Sequence, residues 1–370
     1  MRAVALFALL ATGACASTSP APAFRAMAER VGRQSGHAVH WRQATLEDRS
    51  ADDAVRALLS RELSVDGAAQ VALLRNRSLV ATYEELGVAQ ADLVQAGLLR
   101  NPVLSAGIAE AEIDILTPPV VVGIAQDFLD LLMLPARKTI ARAQLEAIEL
   151  RVTDEVLGVA AQARNAYFAL QSAEQTAAMR RLIAGAAGAA LATAAAQHQA
   201  GNLSDLDYET QRGLAEQAQL DVAREQAGVL QMRERLTRVM GLWGTETNFV
   251  VPPRLPELPP TEPPLEHLES LAVSQRSDLS AMRREVQAIG HVKSLAESTR
   301  WTGLLTVGLD VARLNDGNYS FGPHASIEVP LFDQRQALVA RLEAMQRQSE
   351  VRLEGRAVDA RSEVREARDR

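Results

Sequence analysis

Residues 71–108 read VALLRNRSLVATYEELGVAQADLVQAGLLRNPVLSAGI, and residues 271–309 read LAVSQRSDLSAMRREVQAIGHVKSLAESTRWTGLLTVGL. Laid together without a gap at an offset of 200, Ala72, Leu79, Ala81, Glu85, Ala96, Arg100 and Leu104 meet Ala272, Leu279, Ala281, Glu285, Ala296, Arg300 and Leu304. Each copy continues in the same order, with two short runs of strand character and then a charged, Ala-rich helical stretch. A duplicated unit of helix, hairpin and long helix is an architectural statement. It describes a chain that builds half of something symmetric.

Outward from the duplication, composition sets the class. Aromatic residues make up only 4% of the chain, and Ala, Leu, Glu, Gln and Arg dominate long stretches, as they do in extended helices and coiled coils. A net charge of −7 with Lys and Arg dispersed among acids leaves no basic face, which sets nucleic acid aside as a partner. Residues 1–16 carry one charge at Arg2, an apolar run over 3–11 and then small residues. That is an export signal, and the run is too short to span a bilayer. Two processing sites fit. In the preferred one, Thr12-Gly13-Ala14-Cys15 is a lipoprotein signal and Cys15 becomes the lipidated first residue; in the other, cleavage after Ala14-Cys15-Ala16 discards the cysteine. Cys15 is the single cysteine, so the exported chain forms no internal disulfide.

After the signal, residues 17–62 read as a polar, irregular segment with a helical piece over 51–63. Repeat one covers 63–250, a Pro-rich linker 251–264, and repeat two 265–370. The first long helix is predicted from the Ser64 cap to just before Pro102, followed by strands at 103–110 and 120–128 around a Pro118-Pro119 turn. Pro135 suits a first helical position, and no proline follows until after Gly201. Those residues as one helix would reach about 100 Å, far longer than a small domain. A break at 200–205 and a returning helix over 205–240 make a long antiparallel hairpin whose apolar stripe needs partners. Seven of the fifteen prolines lie between Pro252 and Pro264, marking an extended connector. Repeat two then predicts a helix over 264–299, strands at 303–312 and 321–332, and a helix from Asp333 onward. At the observed offset a second tip falls near position 400, so the sequence reads as C-terminally incomplete.

The second pair of strands alternates cleanly. Leu305, Val307, Leu309 and Val311 share one face, as do Phe321, Ala325, Ile327, Val329 and Leu331, against Thr306, Gly308, Asp310, His324, Ser326 and Glu328 on the other. A soluble half-buried hairpin fits this pattern. So does an exported chain that pools hairpins from several protomers into a closed barrel, which satisfies every strand edge. In that reading lipid meets the Leu and Val face, and the lumen meets Asp310, His324 and Glu328.

Arg75–Leu79 (RNRSL), Arg100–Leu104 (RNPVL), Ala200–Asp207 (AGNLSDLD) and Glu328–Asp333 (EVPLFD), in this order and spacing, resemble the TolC family of outer-membrane efflux channels over about residues 60–370. The lipoprotein-like start resembles its lipidated branch, seen in drug and heavy-metal export. The resemblance implies a mainly α chain with membrane β-hairpins and a homotrimer in which each protomer gives four strands to one barrel. It also implies periplasmic helices, a periplasmic adaptor and an inner-membrane pump as partners, and contact with outer-membrane lipid. The adaptor-docking tip it implies is Gly201, Asn202, Leu203 and Ser204, with Asp205 and Asp207 beside it. The same residues read locally as a helix C-cap glycine and an N-cap serine. An exported coiled-coil scaffold, or a non-functional remnant of a channel, are the competing readings.

Chemistry of other kinds is not indicated. His37 and His40 are the one close histidine pair and read as a surface loop pair, so no metal site and no cofactor is expected. No nucleophile elbow or P-loop occurs in its required context, and no enzyme is expected.

Overall fold

In the computed structural model of this protein, residues 17–108, 120–258, 260–261, 266–313 and 318–369 are described. The export signal with Cys15, the Pro118-Pro119 turn and residues 109–110 of the first predicted strand lie outside them. The chain divides into two compact units. One is helical and draws on residues 26–84 and 152–264; the other carries the sheet and draws on residues up to 25, 85–151 and 265–370.

In the helical unit, the segment expected to be irregular apart from a helical piece over 51–63 contains two helices, α1 (Ala21–Ser35) and α2 (Leu46–Leu59), the second overlapping the predicted piece. The reason is visible in the burial. Met27, Val31 and Val55 are completely enclosed, so amphipathic packing sustains both helices, of which the sequence reading had not announced α1. Helix α3 (Val65–Arg75) begins where Ser64 caps it, its hydroxyl accepting from the Gly67 N–H at 3.0 Å. It stops at Asn76, whose backbone is extended (φ −62°, ψ 118°), and α4 (Arg77–Ala96) resumes one residue later. The single helix predicted over this region is therefore two. Leu63 is pinned at both ends of its peptide: its N–H donates to Val250 O at 2.7 Å, and its carbonyl accepts from the Tyr167 hydroxyl at 2.8 Å.

Helix α5 (Phe128–Gln199) holds 72 residues, about 108 Å at 1.5 Å each. It starts seven residues before Pro135, which lies inside it. Asp127 explains the early start: its Oδ1 accepts from the N–H groups of Leu129 and Asp130 at 3.1 and 3.3 Å. With the first turn fixed by that carboxylate, the proline is carried at a modest distance from the helix start, and its carbonyl still accepts from Thr139 Oγ1 at 3.0 Å. Asp130, buried, then anchors the junction by accepting from Arg137 at 2.9 and 3.1 Å and from the Arg100 N–H at 3.3 Å.

Helix α6 (Asp205–Met240) matches the predicted return helix and ends at Gly241 (φ 69°). The Gly241 N–H reaches Arg238 O and the Leu242 N–H reaches Thr237 O, both at 3.1 Å, a Schellman ending. A Cβ at Gly241 would lie 2.8 Å from Arg75 O and 3.0 Å from Asn76 Cα, so this turn sits directly on the α3–α4 break. The Asn76 side-chain amide closes the contact by donating to Val239 O at 2.9 Å.

In the sheet unit, α7 (Leu268–Gln275) and α8 (Ser277–Ser298) flank a break at Arg276 (φ −63°, ψ 129°), 200 positions after Asn76 and in the same backbone conformation. Strand β1 is Val103–Ile108, β2 Val120–Asp127, β3 Leu305–Arg313 and β4 Tyr319–Ile327. They form one antiparallel sheet in the order β1-β2-β3-β4. Strand β4 ends five residues earlier than predicted, and α9 (Gln336–Asp369) starts three residues later than Asp333, after an irregular stretch around Pro330. Helix α9 is tied to α7 and α8 by charge. Arg276 and Arg356 both donate to Asp278, at 2.8 Å each, and both donate to Glu363.

Candidate functional site: a two-faced sheet and a hairpin tip

The register of the sheet assigns every side chain to a face. On one face Leu104, Ile124, Leu309 and Pro323 lie in one row, and Ala106, Val122, Val311 and Phe321 in the next. Ile108, Val120, Val307 and Ile327 extend this face, and it is open: Leu104 is 74% exposed, Ile108 70% and Phe321 68%. Such an apolar surface is not stable against water without a cover. The other face is built from small and polar groups. Ser105, Gly123, Asp310 and Gly322 form one row across the four strands, and Val103, Ala125, Gly308 and His324 the adjacent row.

The glycines on this second face are there for space. A Cβ at Gly308 would lie 2.5 Å from His324 Nε2 and 2.8 Å from Ile124 O, so the imidazole occupies the volume a side chain would fill. A Cβ at Gly123 would collide with Asp310 Oδ1 and come within 2.7 Å of Ser105 Oγ. His324 Nδ1 and Asp310 Oδ2 are 3.1 Å apart. The two predicted residues Asp310 and His324 are thus brought together, lying flat against the strands. Glu328 lies one residue beyond β4. Its N–H donates to Leu304 O at 2.9 Å and its carboxylate accepts from the Leu304 N–H at 3.2 Å, which fastens the end of the sheet. The outer strands β1 and β4 pair on one side only among the described residues.

The tip joins α5 to α6. Gly201 (φ 75°) donates to His198 O and Asn202 to Gln197 O, both at 2.9 Å, so α5 also ends in a Schellman motif. Ser204 caps α6, accepting from the Asp207 N–H at 3.2 Å and donating to Asp207 Oδ2 at 2.6 Å. His198 locks the turn from within. Its Nδ1 lies 3.1 Å from Leu203 O, placing the ring proton there, and its ring stacks on Tyr208 at 5.0 Å between centroids. Asp205 stands almost fully exposed, 3.6 Å from His198 Nε2. Neither His198 nor Tyr208 was singled out by the sequence. Each is a lone residue in its helix, and only the reversal of the chain makes them neighbours.

His37 and His40 do not converge. His37 is buried near Arg164 and Asp66, while His40 Nε2 meets Asp48 Oδ1 at 2.6 Å. Trp301 is exposed beneath the Arg300 guanidinium, 5.3 Å from the ring centre. Among the described residues no helix is long and apolar enough to cross a membrane, a criterion that does not bear on strands.

No protein-family model and no curated protein matches this sequence. Solved structures do. CmeC, an outer-membrane channel of Campylobacter jejuni, matches 87% of this chain and 73% of its own at 13% identity and a TM-score of 0.66. VceC, an outer-membrane protein of Vibrio cholerae, matches over 80% and 75% at 17% identity and a TM-score of 0.64. CusC, described for transmembrane channel formation, matches over 82% and 72% at 17% identity and a TM-score of 0.61. This chain has the fold of these outer-membrane channel structures. Within that fold the four-stranded sheet and the long α5–α6 hairpin are the two features with surfaces left to place, one apolar and one polar.

Proposed function

We propose that the chain is the protomer of a passive outer-membrane exit channel in a tripartite efflux system, lipidated at Cys15. The observation that carries this reading is the sheet. It has one open face that is apolar across its middle rows, with Gln126, Arg313 and Tyr319 towards its ends, another that is mainly small and polar, and, among the described residues, an unpaired edge on each side. Closing it with hairpins from two further copies pairs both edges, turns the apolar face to lipid and lines a lumen with Asp310, His324 and the glycines. Nine-residue strands at about 3.3 Å per residue reach about 30 Å, and when tilted they suit the apolar band of about 25 Å seen in such barrels. A scaffold has no need of that belt. The helices then lie in the periplasm, and the tip at Gly201–Ser204, with Asp205 and Asp207, docks a periplasmic adaptor that links the channel to an inner-membrane pump. The pump supplies the energy and the choice among small molecules or metal ions, and the channel performs no catalysis.

The test is fractionation of cells producing the native protein, followed by electrophoresis of heated and unheated samples. Recovery in the outer membrane with heat-dependent migration of a trimer is expected. A protein that stays soluble in the periplasm overturns the reading.

A further inference from the structure

The two repeats place the same cation before their first strand and partner it differently. Arg100 and Arg300 are 200 positions apart, the first ahead of β1 and the second ahead of β3. Arg100 has carboxylates to meet, Asp127 at 3.7 Å and Asp130 at 3.5 Å. The positions 200 residues after those acids are Ile327 and Pro330, and among the described residues Arg300 forms no ion pair. Its guanidinium lies instead over the exposed Trp301 ring, and its Nε is buried without a hydrogen-bond partner. A second cation stands beside it. Arg335 donates from Nη1 to the hydroxyl of the buried Thr299, the residue preceding Arg300, and likewise forms no ion pair among the described residues. The acids of this region are turned elsewhere: Glu328 accepts from the Leu304 N–H at 3.2 Å, Asp333 from the Arg335 N–H at 2.8 Å, and Glu297 faces Lys293 at 3.9 Å.

The surroundings are apolar and open. The bond from the Glu328 N–H to Leu304 O holds the chain leaving β4 against the start of β3, and Ile327, Val329, Leu331 and Phe332 leave the sheet there, all exposed, Phe332 to 92%. They carry the open apolar face of the sheet past the end of its strand. Two guanidiniums without ion pairs, an indole and a run of apolar side chains thus gather where α8 enters the sheet and α9 leaves it.

We propose that this end of the sheet binds the headgroup of an anionic phospholipid, with Arg300 taking the phosphate and Leu331 and Phe332 meeting the acyl chains. The inference rests on the channel reading above and deepens it by naming a partner, since helices in the periplasm put this end of the sheet in the periplasmic leaflet. A guanidinium beside apolar surface is costly without a counter-charge, and its planar fork matches two phosphate oxygens. An indole is at home at the level of the headgroups. Free phosphate supplies the charge but nothing to cover Leu331 and Phe332, so the occupant is the lipid. Arg100, already neutralised by Asp127 and Asp130, has no such vacancy.

The experiment is tryptophan quenching in the native protein reconstituted into vesicles of brominated phosphatidylcholine, with unbrominated phosphatidylglycerol titrated in; Trp301→Phe identifies the share of the signal that is Trp301. Phosphatidylglycerol is expected to displace the quencher from Trp301 about fivefold more effectively than unbrominated phosphatidylcholine does, the effect of one arginine near the membrane surface. Arg300→Gln should bring that ratio close to one, and Arg100→Gln should leave it as in wild type. In 1 M potassium chloride the wild-type ratio should also shrink towards one, which tests the charge without any substitution. Heat-dependent migration as a trimer shows that each variant has assembled. A wild-type ratio of one, or an undiminished ratio in assembled Arg300→Gln, overturns the lipid site and leaves the channel standing. A wild-type protein that does not enter the vesicles overturns the channel reading itself, and this inference with it.

Discussion

The helix breaks at Asn76 and Arg276 are 200 residues apart, have nearly identical backbone angles, and are held by different chemistry. At Asn76 the contacts that fix the bend itself are neutral and geometric, with an ionic cluster beside them in which Arg75 pairs with Asp52 at 2.9 Å and with Glu246. The side-chain amide caps the last turn of α6, and Gly241 lets that turn approach the Arg75 carbonyl more closely than any other residue would. At Arg276 they are ionic, a ring of Arg276, Asp278, Arg356 and Glu363 that ties α7, α8 and α9 together. Duplication preserved the bend, not the means of holding it. A backbone break is set by local geometry, whereas its fastening depends on whichever helix packs against it.

Breaking the neutral joint should have the largest effect. Gly241→Ala forces a side chain into left-handed backbone and onto the Arg75 carbonyl, and a loss of about 2–4 kcal/mol is expected in chemical denaturation. Asn76→Ala removes the amide that satisfies Val239 O, an expected loss of about 1–2 kcal/mol with no dependence on pH for that bond. The ionic joint should yield less and should titrate. Burial alone would raise the Asp278 carboxyl, but hydrogen bonds from Arg276, the Leu279 N–H and Arg356 outweigh it and hold the group below its ordinary value. Glu363 is held down by Arg276 and then Arg356. Both carboxylates thus stabilise the folded state above the ordinary carboxylate range, and that contribution is lost as pH falls through their lowered folded values. Hydrogen exchange in α9 should therefore accelerate below about pH 4 relative to pH 7. Glu363→Gln should remove part of that difference at a cost of about 0.5 kcal/mol, small because the carboxylate is half exposed. A rate in α9 that does not change with pH would show that the ionic ring does not fasten that bend.

Much of the fold was legible because it is written in local periods. Parity along 305–311 assigned the two faces of β3, the proline-free run announced α5, and the AGNLSD turn marked the tip to the residue. What misled was also local. Pro135 pointed to a helix start, whereas the Asp127 carboxylate begins the helix earlier by capping Phe128's first turn. The continuous apolar pattern around Asn76 hid a break that α6 makes worthwhile through contacts more than 160 residues away in sequence. Asp310 and His324 could be placed on one face by counting. Their contact, and the glycines that seat them, could not, because those depend on pairing among three strands.

The sequence by itself determined the repeat, the alternation of the strands and the hairpin turn, since each is fixed by spacing within one element. Only the tertiary structure decided how the two breaks are fastened, that His198 stacks on Tyr208 at the tip, and that a histidine and an aspartate share a bed of glycines. Those outcomes depend on which distant segment arrives opposite a given residue, and the energy of a contact exists only once both partners are present.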